Sequence, residues 1–244
     1  MIQQQTNVTS GMNHKKELLA CIYTIYSRWV ERFPLACQKG CAACCTQSVT
    51  MTSLEGEIIL DFLKVGGRDK GLLQLLVQKD NGNKAVLTTN QYVKACLEHQ
   101  DIAEDALGGW NFTPCIFLRE AACSIYEVRP FGCRSFGSFE RCSNNSGAEI
   151  APIHLTVNTV FSQIIEHICC GGGCWGNMKD ILENLLKKEA PGTTGKLLSA
   201  QPIPGFLLEA QEAKLIQILL NQLCEQSEEK QTFGDLIDNF MPIL

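Results

Sequence analysis

The sequence lacks the charge pattern and the long apolar runs that mark two large classes of protein. Its 244 residues carry 21 Lys and Arg against 26 Asp and Glu, so there is no excess of positive charge with which to bind nucleic acid. No run approaches the roughly 18 apolar residues of a membrane span. The polar, uncharged segment 1–10 does not have the pattern of a signal peptide. We therefore expect a cytoplasmic protein with neither a nucleic-acid partner nor a membrane span.

Common catalytic motifs are also missing. The sequence contains no Walker phosphate-binding loop and no His-Glu-x-x-His zinc motif. It has only four histidines, and none of them falls within the cysteine spacings described below. Any metal site is therefore expected to consist of thiolates alone.

What the sequence does contain is cysteine, with 14 copies. In a reducing cytosol, clustered cysteines are more typical of metal ligands or redox thiols than of disulfides, whereas export would favour disulfides. The first group reads Cys-x3-Cys-x2-Cys-Cys, and the members of the second group are separated by seven, nine and eight residues. The two groups are Cys37, Cys41, Cys44 and Cys45, and then Cys115, Cys123, Cys133 and Cys142.

Four thiols in each group suit two four-cysteine tetrahedral sites, or one cluster with spare thiols, because thiolates are soft ligands for zinc and iron–sulfur centres. Such a centre carries negative charge, and Arg129 and Arg134 flank Cys133 most closely. We expect these two arginines to contact the cofactor. Gly40 precedes Cys41 and permits a tight backbone turn.

The other six cysteines are expected to differ in role. Cys21, Cys96 and Cys224 stand alone in helical patterns and are interpreted as small core residues. Cys169, Cys170 and Cys174 surround three glycines at the end of a predicted helix. These three could complete a site or form a third one.

Apolar spacing predicts a mainly α fold around a small irregular cysteine-rich core with a few short strands. Thr52 and Glu55 form a capping box that predicts a helix from Thr52 to Gly66. Further helices are predicted around 18–33, 72–77, 90 to about 106, 157–170, 181–186 and 215–223. Strands of about three residues are predicted at 49–51, 116–118 and 124–126. We place a metal-binding domain at 1–190 and a helical C-terminal extension, packed on it, at 191–244.

Several of these motifs together resemble the YkgJ-type CxxCxxCC family, a group described as zinc or iron chelators. The resemblance rests on the first cysteine group, on Thr52 to Glu55, on Pro114 to Leu118, and on the segment from Cys123 through Pro130 to Cys133-Arg134. It covers roughly residues 35–136. The first gap holds three residues where the family name has two.

The resemblance implies a metal centre ligated by the two cysteine groups, with Cys142, Cys170 or Cys174 as the eighth ligand. A branch similar to flagellin lysine N-methylase implies an iron–sulfur cluster, of the [4Fe–4S] type. Three hypotheses follow. The protein holds a cluster or metal for electron transfer or metal handling with an unknown protein or redox partner; it is an S-adenosylmethionine-dependent N-methylase; or it carries structural four-cysteine zinc sites.

The spacing Cys37-x3-Cys41-x2-Cys44 also fits the radical S-adenosylmethionine triplet. The match is weak, because Ala43 stands where those enzymes have an aromatic residue and because the predicted strands do not alternate with helices.

Overall fold

The computed structural model describes residues 2–37, 39–76, 85–104, 106–107, 111–142, 147–188 and 196–226. Within these ranges the protein is mainly α, as predicted, with eight α-helices and five short strands. The helices are α1 (Ile2–Val30), α2 (Ser53–Val65), α3 (Leu72–Leu76), α4 (Thr89–Leu97), α5 (Phe131–Arg134), α6 (Pro152–Cys169), α7 (Met178–Lys187) and α8 (Ala210–Gln226). The strands are β1 (Thr50–Thr52), β2 (Leu118–Arg119), β3 (Ala122–Cys123), β4 (Cys174–Asn177) and β5 (Leu198–Ser199).

Capping boxes define the starts of two helices among the described residues. Thr52 and Glu55 form the predicted capping box at the start of α2, which is followed by Gly66. A second capping box, which the sequence analysis did not identify, joins Thr88 to Gln91 at the start of α4. The prediction that α4 extends to about 106 is wrong: the helix ends at Leu97, and His99 adopts a left-handed φ of 53° that a helix cannot continue through.

Two apolar cores hold the helices together. The first lies between α1, α6 and α8, and the second between α2, α3 and α7 with β1 and β4. Apolar side chains on one stripe of each helix enter these cores, since burying them away from water is the main favourable contribution to folding. Helix α8 lies beyond the predicted domain boundary, and its Leu219, Leu220 and Leu223 belong to the first core.

A small antiparallel sheet joins the two halves of the chain, in the order β1-β4-β5. Thr50 pairs with Asn177, and Thr52 pairs with Trp175. Strand β1 lies within one residue of its prediction, whereas β4 and β5 were not predicted. Four and two residues are too few to show an alternating pattern, so only the pairing partner defines these strands.

The strand predictions in the second cysteine group were displaced. The predicted strand 116–118 overlaps the tight hairpin of β2 and β3 only at Leu118, and the predicted strand 124–126 follows it. Tyr126–Val128 forms a 3-10 helix.

Among the described residues, no helix is both long and apolar enough to cross a membrane.

One histidine occupies an aromatic pocket with no polar partner. The ring of His154, at the start of α6, packs 4.8 Å from Trp29, 4.1 Å from Phe33 and 5.7 Å from Phe139, measured between ring centroids. Its side chain is buried, and neither ring nitrogen has a hydrogen-bond partner in the described part of the chain. Burial lowers the pKa of His154, because the pocket offers nothing that stabilises the imidazolium.

We predict that His154 makes the fold sensitive to acid. The unfolded chain protonates histidine near pH 6.5, and the folded chain does so only at lower pH. The free energy of unfolding therefore falls below pH 6.5, with a slope that approaches about 1.4 kcal/mol per pH unit from this group. Urea unfolding at pH 7.5, 6.5 and 5.5 measures the slope. His154→Phe should make it shallower and His99→Asn should not; equal slopes for all three proteins would contradict the prediction.

Candidate metal centre

The first cysteine group lies on a loop that the rest of the chain holds at both ends. The Ala36 N–H donates to the Ser138 carbonyl at 2.8 Å, next to Cys37. At the other end the Cys115 N–H donates to the Cys45 carbonyl at 2.9 Å. Gly40 has a φ of +97°, a conformation that favours glycine and turns the chain immediately before Cys41. These backbone contacts place the first cysteine group beside Cys115 and beside the chain that leads to Cys142.

A short hairpin with a two-residue turn positions Cys115 and Cys123. Leu118 pairs with Cys123 across β2 and β3. The turn residues Glu120 and Ala121 have φ values of 48° and 60°, which match the right-handed twist of a short hairpin. The Leu118 N–H also donates to the Cys115 carbonyl at 3.0 Å. The hairpin therefore brings both thiols to one side.

A buried carboxylate positions Cys133. Glu55 Oε1 accepts hydrogen bonds from the Phe131 N–H and from the Tyr23 hydroxyl, each at 2.7 Å. Its Oε2 accepts from the Thr52 N–H at 2.7 Å and from the Thr52 hydroxyl at 3.0 Å. Since Phe131 begins α5, this one side chain links α1, the start of α2 and the helix that carries Cys133. The sequence analysis identified Glu55 only as a helix cap.

Helix α5 also packs closely against β1. A Cβ atom at Gly132 would lie 2.9 Å from the Thr50 carbonyl oxygen and 3.1 Å from Val49 Cγ1. The absence of a side chain at Gly132 therefore lets Cys133 approach the cysteine loop.

The predicted ligands line two adjoining cavities. A cavity of about 210 Å³ is lined by seven of the eight: Cys37, Cys41, Cys44, Cys45, Cys115, Cys123 and Cys133. The adjoining cavity, of about 330 Å³, is lined by Cys142 together with Cys37 and Cys41. The first cysteine group, the segment 115–133 and Cys142 thus bring their thiols to one region of the surface.

Electrostatic interactions connect the thiols of the two sequence groups. Cys37 interacts with Cys41, Cys44 and Cys142. Cys45 interacts in the same way with Cys115, Cys123 and Cys133, and Cys44 also acts on Cys133. The grouping in space is therefore not the grouping in sequence, because Cys44 and Cys45 interact with the second group and Cys142 interacts with the first.

The adjacent thiols Cys44 and Cys45 also interact with each other. A hydrogen bond between their side chains raises the pKa of Cys44 and lowers the pKa of Cys45. Cys45 is therefore the thiol of this pair that ionises first. Burial, followed by repulsion from Cys115 and Cys123, raises the pKa of Cys133 far above its ordinary value.

Cationic side chains lie beside the thiols. Arg129 lines the cavity of about 210 Å³, and its positive charge opposes the rise in the pKa of Cys133. Its guanidinium stacks over the Tyr126 ring, 3.8 Å from the centroid. Arg134 lines the same cavity, but its guanidinium donates to the backbone carbonyls of Arg129 at 2.9 Å and Glu127 at 2.7 Å. Arg134 thus fixes the loop, and Arg129 supplies a positive charge that acts on Cys133.

The thiols line a cavity and do not converge on a single point. Within the described ranges, no three His, Cys, Asp or Glu side chains are arranged so that they could hold one metal ion. The donor types still suit a soft metal, because cysteine is the only one of the four residue types His, Cys, Asp and Glu among the described residues that line the cavity of about 210 Å³. Cys41 and Cys44 are exposed, so the cavity is open to solvent on the side of the first loop.

The remaining cysteines lie away from these cavities. Cys21 and Cys224 pack, partly buried, against the first core. Of the three candidates for the eighth ligand, Cys142 adjoins the other thiols, whereas Cys174 lines a different cavity and Cys170 faces the end of α6. His154 and His167 are not near the thiol cavities either; His167 Nδ1 accepts the Ile203 N–H at 3.2 Å.

Comparison with known proteins gives no assignment, since no family model, curated protein or solved structure matches this chain.

We predict that Glu55→Gln destabilises the fold and loosens Cys133. The amide nitrogen cannot accept the hydrogen bonds that one carboxylate oxygen now accepts, and buried donors left without a partner cost about 1–3 kcal/mol. Urea unfolding should show this loss. The rate at which a thiol reagent labels Cys133, followed by peptide mass spectrometry, should rise.

Glu57→Gln is the matched control, because Glu57 lies on the same helix with its nearest charge the Lys16 amine at 3.6 Å. It should change both measurements little. Equal effects of the two variants would contradict the positioning role of Glu55.

Proposed function

We propose that the protein binds a thiolate-ligated metal centre, an iron–sulfur cluster or zinc, in the two adjoining cysteine cavities. The observation that carries the proposal is the meeting of eight thiols from three stretches of sequence in one region. Eight thiols are enough for two four-thiolate centres. Cys37, Cys41, Cys44 and Cys142 would hold one centre, and Cys45, Cys115, Cys123 and Cys133 the other.

The protonation states support a metal rather than free thiols as the purpose of this site. Burial, followed by repulsion from the neighbouring thiols, raises the pKa of Cys133, so its thiol stays protonated near pH 7 without a strong positive charge nearby. A bound cation supplies that charge and releases the protons as the thiolates coordinate. The inward movement that coordination requires falls on the loop 37–45, whose described residues contain no helix or strand.

The proposed role is electron transfer or metal handling in the cytoplasm, with a protein or redox partner. All fourteen cysteines are free thiols, which suits a reducing compartment. The exposed Cys41 and Cys44 place the proposed centre close to the surface, where a partner can approach it.

Metal and sulfide analysis of protein purified without oxygen tests the proposal. A brown protein with iron and acid-labile sulfide, bleached by dithionite, identifies a cluster. A colourless protein with about two zinc ions per chain identifies two four-cysteine zinc sites. Protein that folds and contains neither metal, and that takes up neither on anaerobic reconstitution, would contradict the proposal.

Substitution of single cysteines tests the ligand set. Cys44→Ser and Cys133→Ser should each lower the metal content and the melting temperature, because metal-binding free energy is also folding free energy at such sites. Cys224→Ser, a partly buried core position, should keep the full metal content. Metal loss in Cys224→Ser equal to that in Cys44→Ser would contradict the assignment.

Structural zinc is a second candidate because the part of 31–49 that the structure describes contains no helix or extended strand. Such a loop gains little from burying apolar surface, and a zinc ion bound by four cysteines would fix it. Under this candidate, reduction would not change the absorption spectrum, and chelation would unfold the loop.

The N-methylase hypothesis rests on the family resemblance alone. Calorimetric titration with S-adenosylmethionine separates it from a carrier role. Binding heat would support an enzyme, and no heat at millimolar ligand would contradict one.

A further inference from the structure

A second pair of thiols lies apart from the metal cavities, where the end of α6 meets the start of β4. Cys169 is the last residue of α6, and Cys174 is the first residue of β4. Both side chains are buried, with exposed fractions of 4% and 2%. Cys169 belongs to the first apolar core and Cys174 to the second.

One hydroxyl group connects the two cysteines. Ser53 Oγ lies 3.5 Å from Cys169 Sγ and accepts the Cys174 N–H at 3.1 Å. A side chain at Gly173 would collide with the sulfur of Cys169. The Cys169 sulfur is therefore packed against the backbone of the residue that immediately precedes Cys174.

The loop between the two cysteines consists largely of glycine, which is conformationally permissive. Gly171 and Gly172 have φ values of +84° and +118°, and a Cβ atom at either would meet nothing within 4 Å. Cys170 points elsewhere, since its thiol donates to the Glu166 carbonyl at 3.7 Å. The pairing of Cys169 with Cys174 is thus favoured over a bond between the adjacent Cys169 and Cys170.

A cavity of about 290 Å³ reaches this pair and contains groups suited to a small acidic molecule. Lys15, Ser53, Asn184 and the three glycines line it together with both thiols. Asn184 is buried, and its side-chain nitrogen has no hydrogen-bond partner in the described part of the chain, so a donor remains for a ligand. Glu57 also lines the cavity, with the Lys16 amine 3.6 Å from its carboxylate.

We propose that Cys169 and Cys174 form a redox-active dithiol that exchanges with a small anionic disulfide, of the class of oxidised glutathione, bound in this cavity. One cysteine thiolate attacks a sulfur of the small disulfide, and the bond between its two sulfurs breaks to release one small thiolate. The second cysteine attacks the mixed disulfide and releases the other small thiolate. The two cysteine protons end on the two released thiols, and the disulfide has been reduced by two electrons.

The environment sets the rate of this exchange. Burial raises the pKa of Cys174, and the Ser53 hydroxyl partly offsets that rise. The Cys174 thiolate, which displaces the small thiol from the adduct on Cys169, is therefore a minor species at neutral pH. Closure of the bond between Cys169 and Cys174 should accelerate as the pH rises from 7 to 9. The resulting disulfide would join the two apolar cores through a six-residue segment. This inference does not depend on the metal centre.

Mass spectrometry of the full-length protein tests the proposal. The protein is treated anaerobically with oxidised glutathione, its remaining thiols are alkylated, and the peptides are fragmented. We expect a bond between Cys169 and Cys174, with Cys170 alkylated, and full reversal by dithiothreitol. A bond between Cys169 and Cys170, or full alkylation of both Cys169 and Cys174, would overturn the proposal.

Variants distinguish exchange from nonspecific oxidation. Cys174→Ser should retain a persistent glutathione adduct on Cys169, because the thiol that displaces it is absent. Cys170→Ser should form the disulfide at the rate of the unaltered protein. Lys15→Gln should slow the reaction with oxidised glutathione several-fold and leave the reaction with uncharged hydroxyethyl disulfide unchanged; equal slowing with both reagents would contradict recognition of an anionic ligand.

Discussion

The hydrogen bonds that converge on the Glu55 carboxylate hold together three elements that are distant in sequence. Tyr23 of α1, Thr52 at the start of α2 and Phe131 at the start of α5 all donate to its two oxygens. An ionised acceptor strengthens each of these bonds, and their number offsets the cost of burying a charge. Helix α5 has only four residues and could not hold Cys133 in place by itself. The geometry of the thiol cavity that Cys133 lines therefore depends on a side chain that contributes no sulfur.

Crowding of sulfur is the second constraint. Eight thiols that repel one another when ionised are stable as neutral groups or as ligands of a cation, and a set of free thiolates would be unfavourable. Arg129 supplies one compensating charge within the protein. The backbone contacts at Cys115 and Ala36 bring thiols of the two sequence groups together, so that Cys45 interacts with Cys115 and Cys142 interacts with Cys37. Neither thiol cavity could form from one stretch of sequence alone.

Several features could be predicted because their causes are local. The capping box at Thr52 and the left-handed turn at Gly40 each depend on residues close in sequence. Strands β4 and β5 could not be predicted, because strands of four and two residues are stabilised by pairing across the sheet. The aromatic pocket around His154 is of the same kind, since α1 supplies Trp29 and the loop after α5 supplies Phe139.

The sequence by itself determined which chemistry is available: a mainly helical chain whose outstanding reactive groups are thiols, because residue type fixes donor softness and apolar spacing fixes helix faces. The tertiary structure decided how those thiols are grouped. It placed Cys142 beside Cys37 and Cys41. It also placed Cys169 and Cys174 together in contact with Ser53, away from the eight thiols that line the two thiol cavities. Spacing along a chain cannot specify such groupings, since they arise from helices, strands and one buried carboxylate that bring distant segments into contact.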